Sequence, residues 1–190
     1  GRAITLSTPQ SAKVSISETN ESNNLFISSM SDQAYPFRID ENMNLIWLEQ
    51  DPKHLGSILK ESIKQFDKDF SGRSISIDTT DFFYKKRKIG IGSSSAVSVA
   101  ITKAMNQLFD LRLTSEAIIN HAREIHNRAK DSRGSGIDII TSFLEGRSFA
   151  CRVIDGTYDY QQVMLPKAIK IFVVINDEYV ETSGMIDRYK

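Results

Sequence analysis

The sequence predicts an α+β fold, and three observations carry that prediction. Short stretches of alternating apolar and polar residues fill the first third of the chain. Long stretches with apolar residues at helical spacing occupy the middle, and alternation returns near the end. No internal repeat or low-complexity tract interrupts this order. The 190 residues suit one domain of usual size, or one domain and the beginning of a second.

Residues 12–18 alternate through Ala12, Val14 and Ile16 and read as a strand. Residues 25–29, 36–40 and 45–48 are further short strands, with the polar residues 20–24 as a turn. Trp47 fits a core or strand-face position. Asp51-Pro52 predicts a helix start, with Asp at the N-cap and Pro at the first helical position. Leu55, Ile58, Leu59, Ile63 and Phe66 then share one face, and Ser71-Gly72 closes the helix. Residues 73–78 are a strand pointing Ile75 and Ile77 one way, followed by a loop into Lys85-Lys86-Arg87-Lys88. Val97, Ile101, Ala104, Met105 and Leu108 form the stripe of a long helix, in which Ala96, Ala100 and Ala104 permit close packing. Thr114 caps another helix reaching about Ala129, with Ile118, Ala122, Ile125 and Ala129 on one face. A helix begins again near Asp138, and residues 147–154, 158–164 and 170–175 are late strands.

Composition narrows the function. Lys plus Arg balance Asp plus Glu, 24 against 24, which argues against a dominant nucleic-acid or anionic-membrane role. No run approaches the roughly 18 apolar residues of a membrane span, and no secretory leader pattern opens the chain. The lone Cys151 has no internal disulfide partner and reads as a small buried hydrophobe in a reducing compartment. His54, His121 and His126 lack a metal-binding spacing.

The chemistry concentrates in Lys88-Ile89-Gly90-Ile91-Gly92-Ser93-Ser94-Ser95-Ala96-Val97. Gly90 and Gly92 remove the Cβ atoms that would keep a phosphate from the backbone. Ser93, Ser94 and Ser95 bring hydroxyls among the unpaired N–H groups of a helix's first turn, where negative charge is favoured. No Lys follows the glycines as a P-loop requires, and Ser95 stands where the dinucleotide-binding pattern needs its third Gly. A plain serine-capped helix is the competing reading. The basic run ending at Lys88 fits a solvated turn or a phosphate-steering patch.

A second segment, Gly134-Ser135-Gly136-Ile137-Asp138, puts a carboxylate just after a flexible turn and at a helix start. There Asp138 can orient an acceptor hydroxyl or take its proton while the glycines admit substrate. An ordinary first-turn acid favoured by the helix dipole is the alternative.

Taken in this order, K-I-G-I-G-S-S-S-A-V and G-S-G-I-D-I resemble the GHMP small-molecule kinases, in particular their phosphomevalonate kinase and mevalonate kinase branch. That family's second motif, roughly G-L-G-S-S-A-A, is matched from Gly90 to Ala96, with Ser95 replacing the first Ala. The resemblance implies a two-layer α/β sandwich like domain 2 of ribosomal protein S5, and a cytoplasmic enzyme that uses ATP and Mg²⁺. It implies that Lys88, Gly90, Gly92, Ser93, Ser94 and Ser95 line the triphosphate. Ser94 would face the metal, with Glu124 as a further metal candidate whose register is off by about two residues. Asp138 would be the catalytic carboxylate, and Arg133, Ser135 and Gly136 would meet the substrate.

The acceptor implied is phosphomevalonate-like, with mevalonate or another alcohol as the alternative. A homodimer is left open, and no nucleic-acid or membrane partner is implied. The family's first motif, with its lysine, and its third, glycine-rich motif have no counterpart in the chain. The expectation is therefore an incomplete protein: an N-terminal kinase domain over residues 1–165 and the start of a second domain over 166–190. A non-catalytic nucleotide- or metabolite-binding remnant is the rival.

Overall fold

In the computed structural model, which describes residues 2–85, 87–131, 134–146, 148–154, 157–166 and 168–172, strands and helices are mixed as expected for α+β. Five strands, β1 (Arg2–Leu6), β2 (Lys13–Glu18), β3 (Asn24–Ser28), β4 (Ala34–Ile39) and β5 (Leu45–Trp47), precede the first helix, α1 (Ser57–Phe66). Strand β6 (Arg73–Asp78) follows, then a small hairpin, β7 (Phe83–Tyr84) and β8 (Arg87–Lys88). Three helices come next: α2 (Ser93–Leu108), α3 (Ser115–Lys130) and α4 (Ile137–Phe143). Strands β9 (Ser148–Ile154) and β10 (Thr157–Val163) end the described secondary structure.

The main sheet has the order β2-β6-β3-β4-β5, antiparallel except where β3 runs parallel to β6. Its period of two turns Phe26, Tyr35, Phe37, Ile75 and Ile77 into the core. They meet Ile58, Leu59 and Ile63 of α1 and Val97, Ile101 and Met105 of α2. Trp47 packs edge-on against Phe37, with ring centroids 5.6 Å apart. A second sheet, β1-β9-β10, is antiparallel throughout. It shares a smaller core with α4, built from Ile139, Ile140 and Cys151. Helix α2 packs against α1, α3, α4 and β2 and so joins the two cores. No described helix is long and apolar enough to cross a membrane.

Most predicted elements form, with differences that have local causes. The first helix begins at Ser57 because Lys53 takes a left-handed conformation, φ +55°, and residues Lys53–Leu55 close a 3-10 turn. Asp51 still accepts from a backbone N–H, that of Lys53 at 2.6 Å, but the turn it caps is not continuous with α1. Gly56 bridges the two, pressed so closely on Trp47 that a Cβ there would lie 2.4 Å from the indole. The helix ends at Phe66, earlier than Ser71-Gly72, because Asp67 turns left-handed at φ +47°. Strand β1 has no counterpart among the predicted elements. It is a strand through its pairing with β9, Ile4 opposite Ala150. Of the expected strand over 170–175, residues 170–172 carry no regular secondary structure and the rest lies outside the described residues, as does 173–190 of the expected second domain.

Candidate active site

The loop between β8 and α2 is built by two left-handed glycines, Gly90 at φ +82° and Gly92 at φ +86°. Nothing stands within 4 Å of where a Cβ would sit on either, so the backbone there is open to approach. Gly92 is the N-cap of α2, and among the described residues no side chain caps it. The first helical bond runs from Ala96 N–H to Gly92 C=O, 3.1 Å, which leaves the amides of Ser93, Ser94 and Ser95 ahead of the helical ladder. The N-cap is therefore a glycine, and the plain serine-capped helix is not what forms.

Two of the three hydroxyls reach other helices. Ser94 Oγ lies 3.1 Å from His126 Nε2 on α3, and Ser95 Oγ donates to Asp138 Oδ2 on α4. Adjacent residues diverge by about 100° around a helix, so α2 reaches two neighbouring helices with consecutive side chains. Ser95 is buried, Ser94 half-buried, and Asp138 exposed in the first turn of its helix. Burial holds His126 below the ordinary histidine range; Lys130 acts in the same direction, against the carboxylate of Asp138. Its imidazole is thus neutral at neutral pH. Lys88, on β8, is likewise lowered, by the protein around its ammonium and by the like charge of Lys130. Lys88, Lys130, His126 and Asp138 thus share one electrostatic neighbourhood at the mouth of the loop.

Asp138 follows the turn the sequence singled out. Gly136, φ +73°, is the N-cap of α4, and the Ser135 carbonyl accepts from the Tyr158 hydroxyl of β10 at 3.0 Å. A cleft of about 950 Å³ opens beside the carboxylate, lined by Ile91, Gly92, Ala96, Ala100 and Asp138 and by residues 5–14 opposite. The small-residue stripe of α2 thus faces the cleft.

The structure brings Lys88, Gly90, Gly92, Ser93, Ser94, Ser95, Ser135, Gly136 and Asp138 to one end of α2. Glu124 is exposed on α3, two residues and hence about 200° of helix from His126, the side chain that meets Ser94. Arg133 lies outside the described residues. Among the described residues no three His, Cys, Asp or Glu side chains converge as a metal group. His126, Lys130 and Tyr158 belong to the site although neither glycine motif contains them; the spacing of α3 sets His126 and Lys130 one helical turn apart.

Residues 57–146 match the family model "GHMP kinases N terminal domain". This segment is similar in sequence to the N-terminal domain of the GHMP kinases. It contains both the serine loop and the Asp138 turn. The fold is also that of solved GHMP kinases. The phosphomevalonate kinase of Streptococcus pneumoniae, solved with phosphomevalonate and AMPPNP, is 18% identical with a TM-score of 0.63, covering 82% of this chain and 44% of its own. L. major mevalonate kinase, solved with R-mevalonate, is 18% identical with a TM-score of 0.54, covering 84% and 45%. Lactococcus lactis galactokinase, solved with galactose, is 15% identical with a TM-score of 0.62, covering 86% and 41%. The chain spans less than half the length of each of these proteins. No curated protein matches it significantly by sequence.

Proposed function

We propose that this chain is the nucleotide-binding part of an ATP-dependent small-molecule kinase. The observation that carries the reading is the pairing of an uncapped, glycine-opened helix start with a carboxylate tied to it through Ser95. The amides of Ser93, Ser94 and Ser95, ahead of the helical ladder, and the α2 dipole suit a triphosphate, and Lys88 adds charge at the loop's edge. Ser94 and the phosphates would share the Mg²⁺. When bound, Mg²⁺-ATP supplies the γ-phosphoryl group and the counter-charge for it. Asp138 orients the acceptor oxygen and, for an alcohol, takes its proton on a carboxylate oxygen. Ser95 fixes which way that carboxylate faces.

For the acceptor, the G-S-G-I-D spelling and Lys88 favour a phosphomevalonate-like phosphomonoester. Such an oxygen is already acidic, so Asp138 positions more than it deprotonates, and Lys88 with Arg133 would bind the acceptor's own phosphate. The test is ADP release by the full-length protein with phosphomevalonate, mevalonate and galactose offered in turn. Phosphomevalonate is expected to support turnover; turnover on mevalonate or galactose alone moves the acceptor to an alcohol. Asp138→Ala is expected to lower turnover by roughly 10²-fold or more while ATP binding persists. A variant that turns over normally removes Asp138 from the reaction, and a full-length protein that binds ATP without turning over any acceptor makes it a binding remnant.

A further inference from the structure

Tyr158 and Arg123 form a polar cluster against the turn that leads to Asp138. The Tyr158 hydroxyl donates to the Ser135 carbonyl at 3.0 Å and accepts from Arg123 Nη1 at 3.2 Å. The Arg123 guanidinium also lies over the tyrosine ring, 5.2 Å from its centroid. The ring itself packs against the smaller core beside Ile137. Between them runs the turn that leads to Asp138. At Gly136 a Cβ would meet the Tyr158 hydroxyl at 2.1 Å and Arg123 Cδ at 3.0 Å. The turn thus lies between β10 on one side and α3 on the other, with no room for a side chain at Gly136.

What this contact controls follows from the next residues. The Ile140 N–H bonds the Gly136 carbonyl at 3.2 Å, so the position of the turn sets the first turn of α4, where Asp138 sits. Asp138 is otherwise exposed, and Ser95 is the donor that ties it to the loop. Burial raises the Tyr158 phenol above its ordinary value, Arg123 opposing and the charges of Asp138 and Cys151 adding, so the hydroxyl remains a donor throughout the physiological range. We propose that Tyr158, braced by Arg123, is a positioning residue for Asp138: it pins the Ser135-Gly136 turn so that the carboxylate stays in register with the serine loop. This rests on the reading of Asp138 as the group that handles the acceptor.

Tyr158→Phe keeps the ring and its packing and removes only the hydroxyl. In this chain, amide hydrogen exchange at Ile140 is expected to accelerate about tenfold, the scale of one lost hydrogen bond. Exchange at Ala96, at the start of α2, should be unchanged. In the full-length protein kcat should fall by a similar factor with the nucleotide KM unaltered, because the phosphate loop is untouched. Unchanged exchange at Ile140, or unchanged kcat, overturns the proposal. So does faster exchange spread evenly over α4 and β9 with a lower melting temperature, which would make Tyr158 a core anchor only. Asp138→Ala serves as the control: if that variant keeps its turnover, the kinase role of Asp138 fails, whereas the exchange result at Ile140 still reports on the grip alone.

Discussion

Replacing Gly136 by Ala separates backbone conformation from close approach, because Gly90 offers the same substitution without the second effect. Both positions are left-handed, at φ +73° and φ +82°. An L-residue there costs about 1–2 kcal/mol, offset by about 0.4–1 kcal/mol from a stiffer unfolded chain. At Gly90 nothing lies within 4 Å of the new methyl, so Gly90→Ala should cost only that difference, ~1 kcal/mol. At Gly136 the methyl would stand 2.1 Å from the Tyr158 hydroxyl, which must move by more than an ångström. Two hydrogen bonds break, to Ser135 and from Arg123, each worth about 0.5–1.5 kcal/mol. Gly136→Ala should therefore cost about 2–4 kcal/mol in total. Urea unfolding with an unchanged slope reads the difference as a midpoint lower by about 1 M than that of Gly90→Ala. In a Tyr158→Phe background the extra cost should shrink, since the oxygen that clashes is gone. Equal midpoints for the two glycine variants, or an undiminished cost once that hydroxyl is removed, would refute the close-approach argument.

Two further outcomes test the cores. Ile101 is fully buried where α2 meets the main sheet, so Ile101→Ala should lose about 2–5 kcal/mol in urea unfolding, and a loss below about 1 kcal/mol would mean the helix does not pack there. Cys151 is buried, and burial first, with the charge of Asp159 adding, raises its thiol above the ordinary value. A raised pKa means less thiolate at any given pH, so iodoacetamide at pH 8 should label the native chain slowly and the urea-unfolded chain quickly; equal rates would place the thiol at the surface.

What is legible in the sequence is local. Gly90, Gly92 and Gly136 are readable because left-handed backbone is a property of the residue itself, and Thr114 because it caps its own helix through the Ala117 amide. Strand β1 is not readable: Ile4 is largely exposed and only its distant partner β9 makes the segment a strand. The start of α1 escapes for a similar reason, since the indole of Trp47 decides where Gly56 sits. Tyr158 carries no motif at all and reaches the turn only because β10 folds back on β9.

The serine run shows how far the two levels can be joined. Three serines after two glycines suggest hydroxyls for capping or for a metal, without saying which does what. Packing divides them: α3 lies beside Ser94 and α4 beside Ser95, so one hydroxyl meets an imidazole and the next a carboxylate 43 residues away. Ser95 is also where this chain departs from the family pattern, which has Ala at that place. The departure supplies the donor that Asp138 uses. An Ala there would leave the exposed carboxylate held by its turn alone, and the grip of Tyr158 on that turn would then be the remaining constraint on where it points. The two contacts act on the same carboxylate from opposite ends, Ser95 on its oxygen and Tyr158 on its backbone. Loss of either should therefore cost less than loss of both.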